Sequence, residues 1–314
     1  MFGQKPIVVV GSINTDLVSV AERIPVVGET VLGSSFQIHP GGKGANQAVA
    51  VARLGYPVRM IGRLGSDSFG RDARAHLENA GVDTGLVGSS EGPSGVATIC
   101  VSSKGENCIV VTPGANSLVT PADLDAHAEV IRLAGAVLAQ LEIPIETVDY
   151  LAALCSREQV PLILDPAPAA DLPKSVFKNL AWLTPNQTEA NHYAWGCGGV
   201  AEGDADFIVQ RLLQLGIQGL VLKMGAQGAM VAGNDGAIST ISAFAVEAID
   251  TTAAGDAFNG GFAVGLMKGL SPIESARFAS AVAAISVTRP GAQPSMPTLN
   301  EVEQFIAKHA ERVS

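Results

Sequence analysis

The sequence predicts an α/β fold in which helices flank a doubly wound, mostly parallel sheet. Two observations favour this class. Short β-branched runs alternate with amphipathic stretches, as in right-handed βαβ units. Gly55, Gly81 and Gly216 each follow a helical stretch, where a helix usually ends in glycine. Of the 314 residues, 47% are hydrophobic and 16% are charged, so the chain can bury a large core.

The alternation also gives bounds for the individual elements. Strands are predicted at 7–12, 58–63, 136–141, 161–165, 180–184 and 218–223. Helices are predicted at 43–54, 67–80, 121–133, 146–158, 204–215, 255–269, 272–288 and 299–310.

Two segments, 14–40 and 95–112, interrupt this alternation. The first is extended and has no helical period, and the second is typical of a β-hairpin around the polar turn at 104–107. We predict that they form a small sheet that acts as a lid over the carboxyl ends of the main strands, where ligands bind in open α/β sheets. A hairpin packed on the sheet edge is the alternative. No linker divides the chain, so residues 1–314 are predicted to be a single domain with this lid inserted.

Charge and cysteine content exclude several classes of protein. The formal net charge is −10 and no run of Lys and Arg occurs, which argues against a nucleic-acid partner. The four cysteines lie far apart without C-x-x-C spacing, which favours reduced thiols over a zinc site; they are Cys100, Cys108, Cys155 and Cys197. No apolar run approaches the roughly 18 residues of a membrane span. We therefore expect a soluble cytoplasmic protein with no membrane partner.

The most informative stretch runs from Ala248 to Phe262 and centres on Asp256. Small residues lead into a helix, so the amides of Ala254, Gly255 and Asp256 can face an open space. Such amides stabilise negative charge on phosphate oxygens. A carboxylate at the same place can accept the proton of an attacking hydroxyl. From these residues alone, an ordinary N-cap or first-turn aspartate fits equally well.

Two further clusters bear donors and acceptors suited to a polyol. Gly41, Gly42, Lys43 and Asn46 open the helix at 43–54 without Walker A spacing. Asn14 and Asp16 follow the first strand. An ordinary glycine-rich turn and an Asx turn are the alternatives.

The motifs G-S-I-N-T-D (11–16), G-G-K-G-A-N-Q (41–47) and D-T-T-A-A-G-D-A-F-N-G (250–260) occur together in this order. In this the chain resembles the ribokinase-like (PfkB) carbohydrate kinases, from about residue 7 to residue 297. The resemblance implies the ribokinase-like fold and transfer of the γ-phosphoryl group of ATP to a sugar hydroxyl, first of all O5 of D-ribose. Deoxyribose, a ketohexose and a nucleoside remain open as acceptors, and a catalytically dead sugar sensor is the alternative from another class.

The resemblance also assigns roles to residues. Asp256 is implied to be the catalytic base, and Ala254 and Gly255 to form the anion hole. The implied sugar ligands are Asn14, Asp16, Gly42, Lys43, Asn46 and Glu142. The implied ATP contacts are Asn186, Lys223, Gly225, Gly228 and Ser280.

Two cations follow from the same resemblance. Glu189 is implied to hold Mg²⁺ through water, although with Asn186 it also fits a capping box. A potassium activator is implied at Asp250, Thr252, Ser286, Arg289, Gly291 and Ser295, mostly through carbonyl oxygens. Ala253 stands where the broader family favours glycine. A homodimer that pairs through the lid is also expected, because the lid strands have a second face to bury.

Overall fold

The computed structural model describes residues 4–195, 204–233 and 236–310; Cys197 lies outside them. In chain order, the strands are β1 (Ile7–Val10), β2 (Asn14–Ala21), β3 (Gly33–Gly41), β4 (Val58–Gly65), β5 (Asp83–Ser90), β6 (Gly95–Ser102), β7 (Asn107–Thr112), β8 (Ala136–Ala139), β9 (Leu162–Leu164), β10 (Trp182–Leu183), β11 (Gly219–Lys223), β12 (Ala229–Gly233) and β13 (Ile238–Ile241). The helices are α1 (Lys43–Arg53), α2 (Ser68–Asn79), α3 (Pro121–Ala126), α4 (Ala128–Arg132), α5 (Ile145–Arg157), α6 (Lys174–Lys178), α7 (Gln187–Trp195), α8 (Ala205–Leu213), α9 (Ala254–Met267), α10 (Pro272–Ser286) and α11 (Leu299–Ala310).

The described residues form one large sheet in the order β13-β12-β11-β10-β9-β8-β1-β4-β5. Its seven neighbouring strands β11-β10-β9-β8-β1-β4-β5 run parallel. At the β11 edge, β12 pairs antiparallel with β11, and β13 pairs antiparallel with β12. All four residues of β1 are 0% exposed, as expected for a central strand covered by helices on both faces. The predicted α/β class with a mostly parallel sheet is confirmed.

The two irregular segments supply a separate four-stranded sheet in the order β3-β2-β6-β7. β2 pairs antiparallel with β3 and parallel with β6, and the β6–β7 hairpin is antiparallel. Asp16 faces Ala97 and His39 across its neighbours, so these three side chains share one face of the small sheet. Along the chain, β2 follows β1 and β6 follows β5. The small sheet therefore continues from the carboxyl ends of two strands of the large sheet.

Several elements differ from the sequence-based bounds. The single helix predicted at 121–133 is two helices, because His127 leaves the helical conformation with φ −119° and ψ 18°. β5, β12, β13, α6 and α7 have no counterpart among the predicted bounds. β5, β12 and α6 are rich in Gly, Ala, Ser or Lys, and β13 and α7 have little apolar periodicity. β8 ends at Ala139, so Glu142 lies beyond the strand and not at its end as predicted.

Within the described part of the chain, no helix combines the length and apolar character that crossing a bilayer requires.

Candidate active site

The candidate site lies where the carboxyl ends of central strands meet the N-termini of α1 and α9. α9 begins after Ala253, which takes the left-handed conformation with φ 58° and ψ 15°. The Ala254 N–H donates to the Thr251 carbonyl at 3.2 Å. No partner within the described residues accepts from the N–H of Gly255 or Asp256. The N-terminus of α9 therefore offers two amides to an anion, whereas the third is engaged by its own turn.

Asp256, in the first turn of α9, is 4% exposed and is held by two amides from α1. Asn46 Nδ2 donates to its Oδ2 at 2.9 Å, and Gln47 Nε2 donates to its Oδ1 at 3.1 Å. Burial raises the pKa of Asp256 to about 6, with a contribution from Asp165, against the opposing charge of Lys43 and the two amide donors. This carboxyl group thus has the pKa of a base that works near neutral pH.

A second buried carboxylate, Asp165, lies next to the first. It follows β9 directly and is 2% exposed. Lys223 Nζ forms an ion pair with its Oδ1 at 2.8 Å, and Gln47 Nε2 donates to its Oδ2 at 3.1 Å. Lys223 Nζ also lies beside the start of α9, since a Cβ placed on Gly255 would be 3.4 Å from it. The ammonium group at the end of β11 is therefore directed to the same place as the free amides.

The predicted sugar ligands of the small sheet and α1 converge on this site. Burial raises the pKa of Asp16 to about 6, and the negative charges of Glu142 and Asp256 add to the shift. Burial disfavours the charged form of Lys43, but Asp256, Asp165, Glu142 and Glu189 outweigh it and raise the pKa of Lys43. The Lys43 ammonium group thus stays charged and interacts with several carboxylates.

Glu142 and Asn14 are oriented by hydrogen bonds. Ser12 Oγ donates to Glu142 Oε2 at 2.5 Å, and the Lys43 backbone N–H donates to the same oxygen at 3.0 Å. Asn116 Nδ2 donates to Asn14 Oδ1 at 2.7 Å. Asn14 Nδ2 has no hydrogen-bond partner in the described part of the chain and can donate to a further acceptor.

Gly41 and Gly42 let α1 approach the start of β2. Gly42 has φ 89°, and a Cβ there would lie 2.6 Å from the Asn14 nitrogen. A Cβ on Gly41 would lie 2.3 Å from the carboxylate oxygens of Asp16. Neither position accommodates a larger residue without displacing a candidate sugar ligand.

The predicted nucleotide contacts lie around β11. Asn186 and Glu189 form a reciprocal cap, in which the Glu189 N–H donates to Asn186 Oδ1 at 2.9 Å and the Asn186 N–H donates to Glu189 Oε2 at 2.8 Å. Burial and Asp165 raise the pKa of Glu189. Gly225 is the first residue of a 3₁₀ turn and Gly228 follows it, and both have positive φ. Ser280 is buried on α10, which packs along α9.

Part of the predicted potassium set is brought together by Asp250. Its Oδ1 accepts from the Thr252 N–H at 2.9 Å and its Oδ2 from the Gly291 N–H at 2.8 Å, which joins two loops. These bonds lower the pKa of Asp250 although burial opposes them. Ser286 Oγ and Ser295 Oγ donate to carbonyls within their own turns, and Arg289 pairs with Glu301 at 2.6 Å. Arg289 can therefore offer a cation only its backbone oxygen, whereas the hydroxyl oxygens of Ser286 and Ser295 keep lone pairs beside their backbone oxygens.

Sequence reasoning missed four buried residues of the site, namely Gln47, Gln140, Asp165 and Asn116. Asp165 is the last residue of the predicted strand 161–165. Because ligands bind beyond the carboxyl ends of such strands, its position could have identified it as a candidate site residue. The three amides are joined to their partners across 93 to 209 positions of sequence, and local patterns carry no signal for such pairs.

Comparisons with known proteins agree with this geometry. The model of the pfkB family carbohydrate kinases matches residues 4–299. A ribokinase of Bacillus subtilis is 41% identical over 302 residues, which are 96% of this chain and 99% of that protein. A deoxyribokinase of Salmonella typhi is 33% identical over 306 residues, which are 96% of this chain and 98% of that protein.

A solved structure of Arabidopsis thaliana ribokinase, complexed with ribose and ATP, has a TM-score of 0.90 and 34% identity, with 97% of this chain and 99% of that chain covered. The family match spans nearly all of the described fold, including both sheets. This chain therefore belongs to the pfkB family of carbohydrate kinases.

Proposed function

We propose that this protein is an ATP-dependent kinase that phosphorylates D-ribose at O5. The observation that carries the proposal is the buried Asp256 carboxylate at the free N-terminus of α9, beside the polar set of Asn14, Asp16, Lys43 and Glu142. The ribokinases among its relatives support ribose as the acceptor. The deoxyribokinase supports 2-deoxyribose as the second candidate.

The geometry suits in-line phosphoryl transfer. Asp256 takes the proton of the sugar hydroxyl. At the same time the sugar oxygen bonds to the γ-phosphorus of ATP, and the bond between that phosphorus and the ADP oxygen breaks. The Gly255 and Asp256 amides and the Lys223 ammonium stand where they can stabilise charge on the phosphate oxygens. The Ala254 amide is available in this role only after release from Thr251.

The nucleotide side is proposed at Asn186, Lys223, Gly225, Gly228 and Ser280. Glu189 and Asp165 present buried carboxylates on this side, a donor set that fits Mg²⁺ held largely through water and ATP oxygens. When bound, the metal supplies charge neutralisation for the phosphates. The protein's own contribution is the orientation of Glu189 by Asn186.

A nucleoside is a poorer acceptor for this site. Base stacking needs an aromatic ring, and Phe36 is the single aromatic residue in 14–40 and 95–112. Phe36 is three residues from His39 on β3, whereas His39 shares a face with Asp16. The Phe36 ring therefore lies on the opposite face of the small sheet from the sugar ligands.

The same outer face supports the proposal of a homodimer. Phe36, Ile38 and Val110 lie on it and are 59%, 55% and 67% exposed. Large apolar side chains on an open sheet face favour pairing with a second copy. The inner face bearing Asp16 then remains free to act as the lid.

The free thiols of Cys100, Cys108 and Cys155 suit a reducing compartment, and we propose that the protein is cytoplasmic.

A panel of acceptors tests the function. With ATP and Mg²⁺, ADP release should have the highest kcat/KM with D-ribose, followed by 2-deoxyribose, because the polar set offers several donors and acceptors to sugar hydroxyls and loses a partner when the 2-hydroxyl is missing. Fructose and adenosine serve as controls. Fastest turnover with either control would overturn the assignment, whereas fastest turnover with 2-deoxyribose would replace ribose by the second candidate.

Substitution Asp256→Asn tests the base. It keeps the size of the side chain but removes the proton acceptor, so kcat should fall on the order of 10³-fold. Ribose binding, followed by calorimetry, should persist because the other sugar ligands remain. Wild-type turnover in this variant would refute the base role.

The activity should depend on pH with an acid limb. Burial and Asp165 raise the pKa of Asp256 to about 6, and the base works only when ionised. kcat/KM for the sugar should therefore be level above about pH 7 and fall as the pH drops through about 6. Asp16, whose pKa burial and Glu142 also raise to about 6, should steepen the fall. Constant kcat/KM between pH 8 and pH 5 is incompatible with this base.

We propose that a potassium ion activates the protein. Carbonyl and carboxylate oxygens near α9 would bind it, from Asp250, Thr252, Ser286, Arg289, Gly291 and Ser295. Asp250 ties the two loops together, so a cation bound there would order the approach to Ala253 and the free amides. kcat should be higher in potassium chloride than in sodium chloride at equal ionic strength. Equal rates in the two salts would remove this site from the proposal.

A further inference from the structure

Gln47 lies between the two buried carboxylates of the site. It is on the second turn of α1 and is 0% exposed. Its Nε2 donates to Asp256 Oδ1 and to Asp165 Oδ2, both at 3.1 Å. A side-chain amide has two N–H groups, so each carboxylate receives one. The two negatively charged groups are thus held side by side by a single neutral donor.

A second buried glutamine fixes the orientation of this amide. Gln140 is 0% exposed, and its Nε2 donates to Gln47 Oε1 at 2.6 Å. If the Gln47 amide were reversed, its oxygen would face two carboxylate oxygens and its NH₂ would face the NH₂ of Gln140. Both contacts would be repulsive, so the chemistry of the neighbours permits one orientation.

Charged groups approach Asp256 from several elements. Lys43 lies on α1, Asp16 lies on β2, and Asp165 follows β9. Lys223 of β11 forms an ion pair with Oδ1 of Asp165, the oxygen that Gln47 does not contact. Asp256 Oδ1 is directed towards Asp165 by their shared donor, whereas Oδ2 accepts from Asn46, a candidate sugar ligand. Each carboxylate oxygen has two acceptor positions, so each retains one. The free position of Oδ2 is beside Asn46 and can take a substrate hydroxyl, whereas Oδ1 shares its donor with the Asp165 carboxylate.

We infer that Gln47 is a positioning residue for phosphoryl transfer, which holds Oδ1 of Asp256 away from the sugar and thereby presents Oδ2 as the oxygen that takes the proton. The inference rests on the proposed function. Gln47 is fully buried behind Asp256 and acts through it, without a contact of its own to the substrate. Without this donor, Asp256 loses its fixed rotation and faces the Asp165 carboxylate with no group between them.

Substitution Gln47→Met tests this role, because methionine has a similar length and volume but no N–H donor. kcat should fall by roughly tenfold or more, since a misoriented base is a poor one. KM for ribose and for ATP should stay within about threefold, because no ligand of either is removed. The acid limb of kcat/KM should move up by about one pH unit, because the ionised carboxylate loses a hydrogen-bond donor.

Thr147→Val is the matched control. Thr147 is also buried, and its hydroxyl donates to the Val119 carbonyl at 2.8 Å, a bond in which neither α1 nor α9 takes part. This variant removes one buried hydrogen bond and should lower the melting temperature without moving the acid limb. A shift of the limb in both variants would reflect general loss of stability and overturn the positioning role.

Gln140→Met provides a second route should Gln47→Met fail to fold. It leaves the donor in place but frees its rotation, so it should lower kcat and move the acid limb in the same direction by a smaller amount. A folded Gln47→Met or Gln140→Met protein with the wild-type acid limb and kcat would overturn the inference. Asp256→Asn, assayed alongside, separates the two proposals: if it retains activity, the base assignment itself fails.

Discussion

The burial of a carboxylate that has to ionise is the constraint on which the rest of the structure depends. An isolated charge in a protein interior costs several kcal/mol unless donors or an opposite charge compensate it. For Asp256 all three compensating groups come from α1, namely the Lys43 ammonium and the amides of Asn46 and Gln47. Such short contacts require α1 and α9 to pack closely at their N-terminal ends.

That close packing explains the small residues of α9. A Cβ on Gly260 would lie 2.6 Å from the Ala50 Cβ of α1, and one on Gly261 would lie 3.0 Å from the Ala279 Cα of α10. α9 is therefore confined between two helices, with its N-terminus at the strand ends. The same chain of contacts links the two halves of the site. Hydrogen bonds run from Asp256 through Gln47 to Asp165 and then to Lys223, from the sugar side to the nucleotide side.

The sequence predicts the framework of this arrangement better than its interior. The main parallel strands and the long helices follow from apolar periodicity, and the hairpin of β6 and β7 from its polar turn. The parallel pairing of β2 with β6 does not follow, because it joins segments some 80 residues apart and local patterns do not encode partners. The motifs around Gly42 and Asp256 indicate the site, whereas Gln140 and Asn116 carry no such signal. Their amides gain meaning only when the fold brings Gln47 and Asn14 to them.

Ala253 shows how the strained start of α9 serves the same constraint. A left-handed alanine costs roughly 1–2 kcal/mol, and such a conformation persists only where the surroundings enforce it. Here Asp250 fixes the preceding turn through Thr252 and Gly291, and the Ala257 N–H bonds to the Ala253 carbonyl at 2.9 Å. Gly255 and Asp256 lie in the first turn of α9, where a helix has no carbonyl of its own to accept from their N–H groups, and no other acceptor within the described residues takes them. The turn at Ala253 thus starts the helix with two free amides beside a carboxylate, and a phosphoryl group approaching that carboxylate meets donors that need no rearrangement.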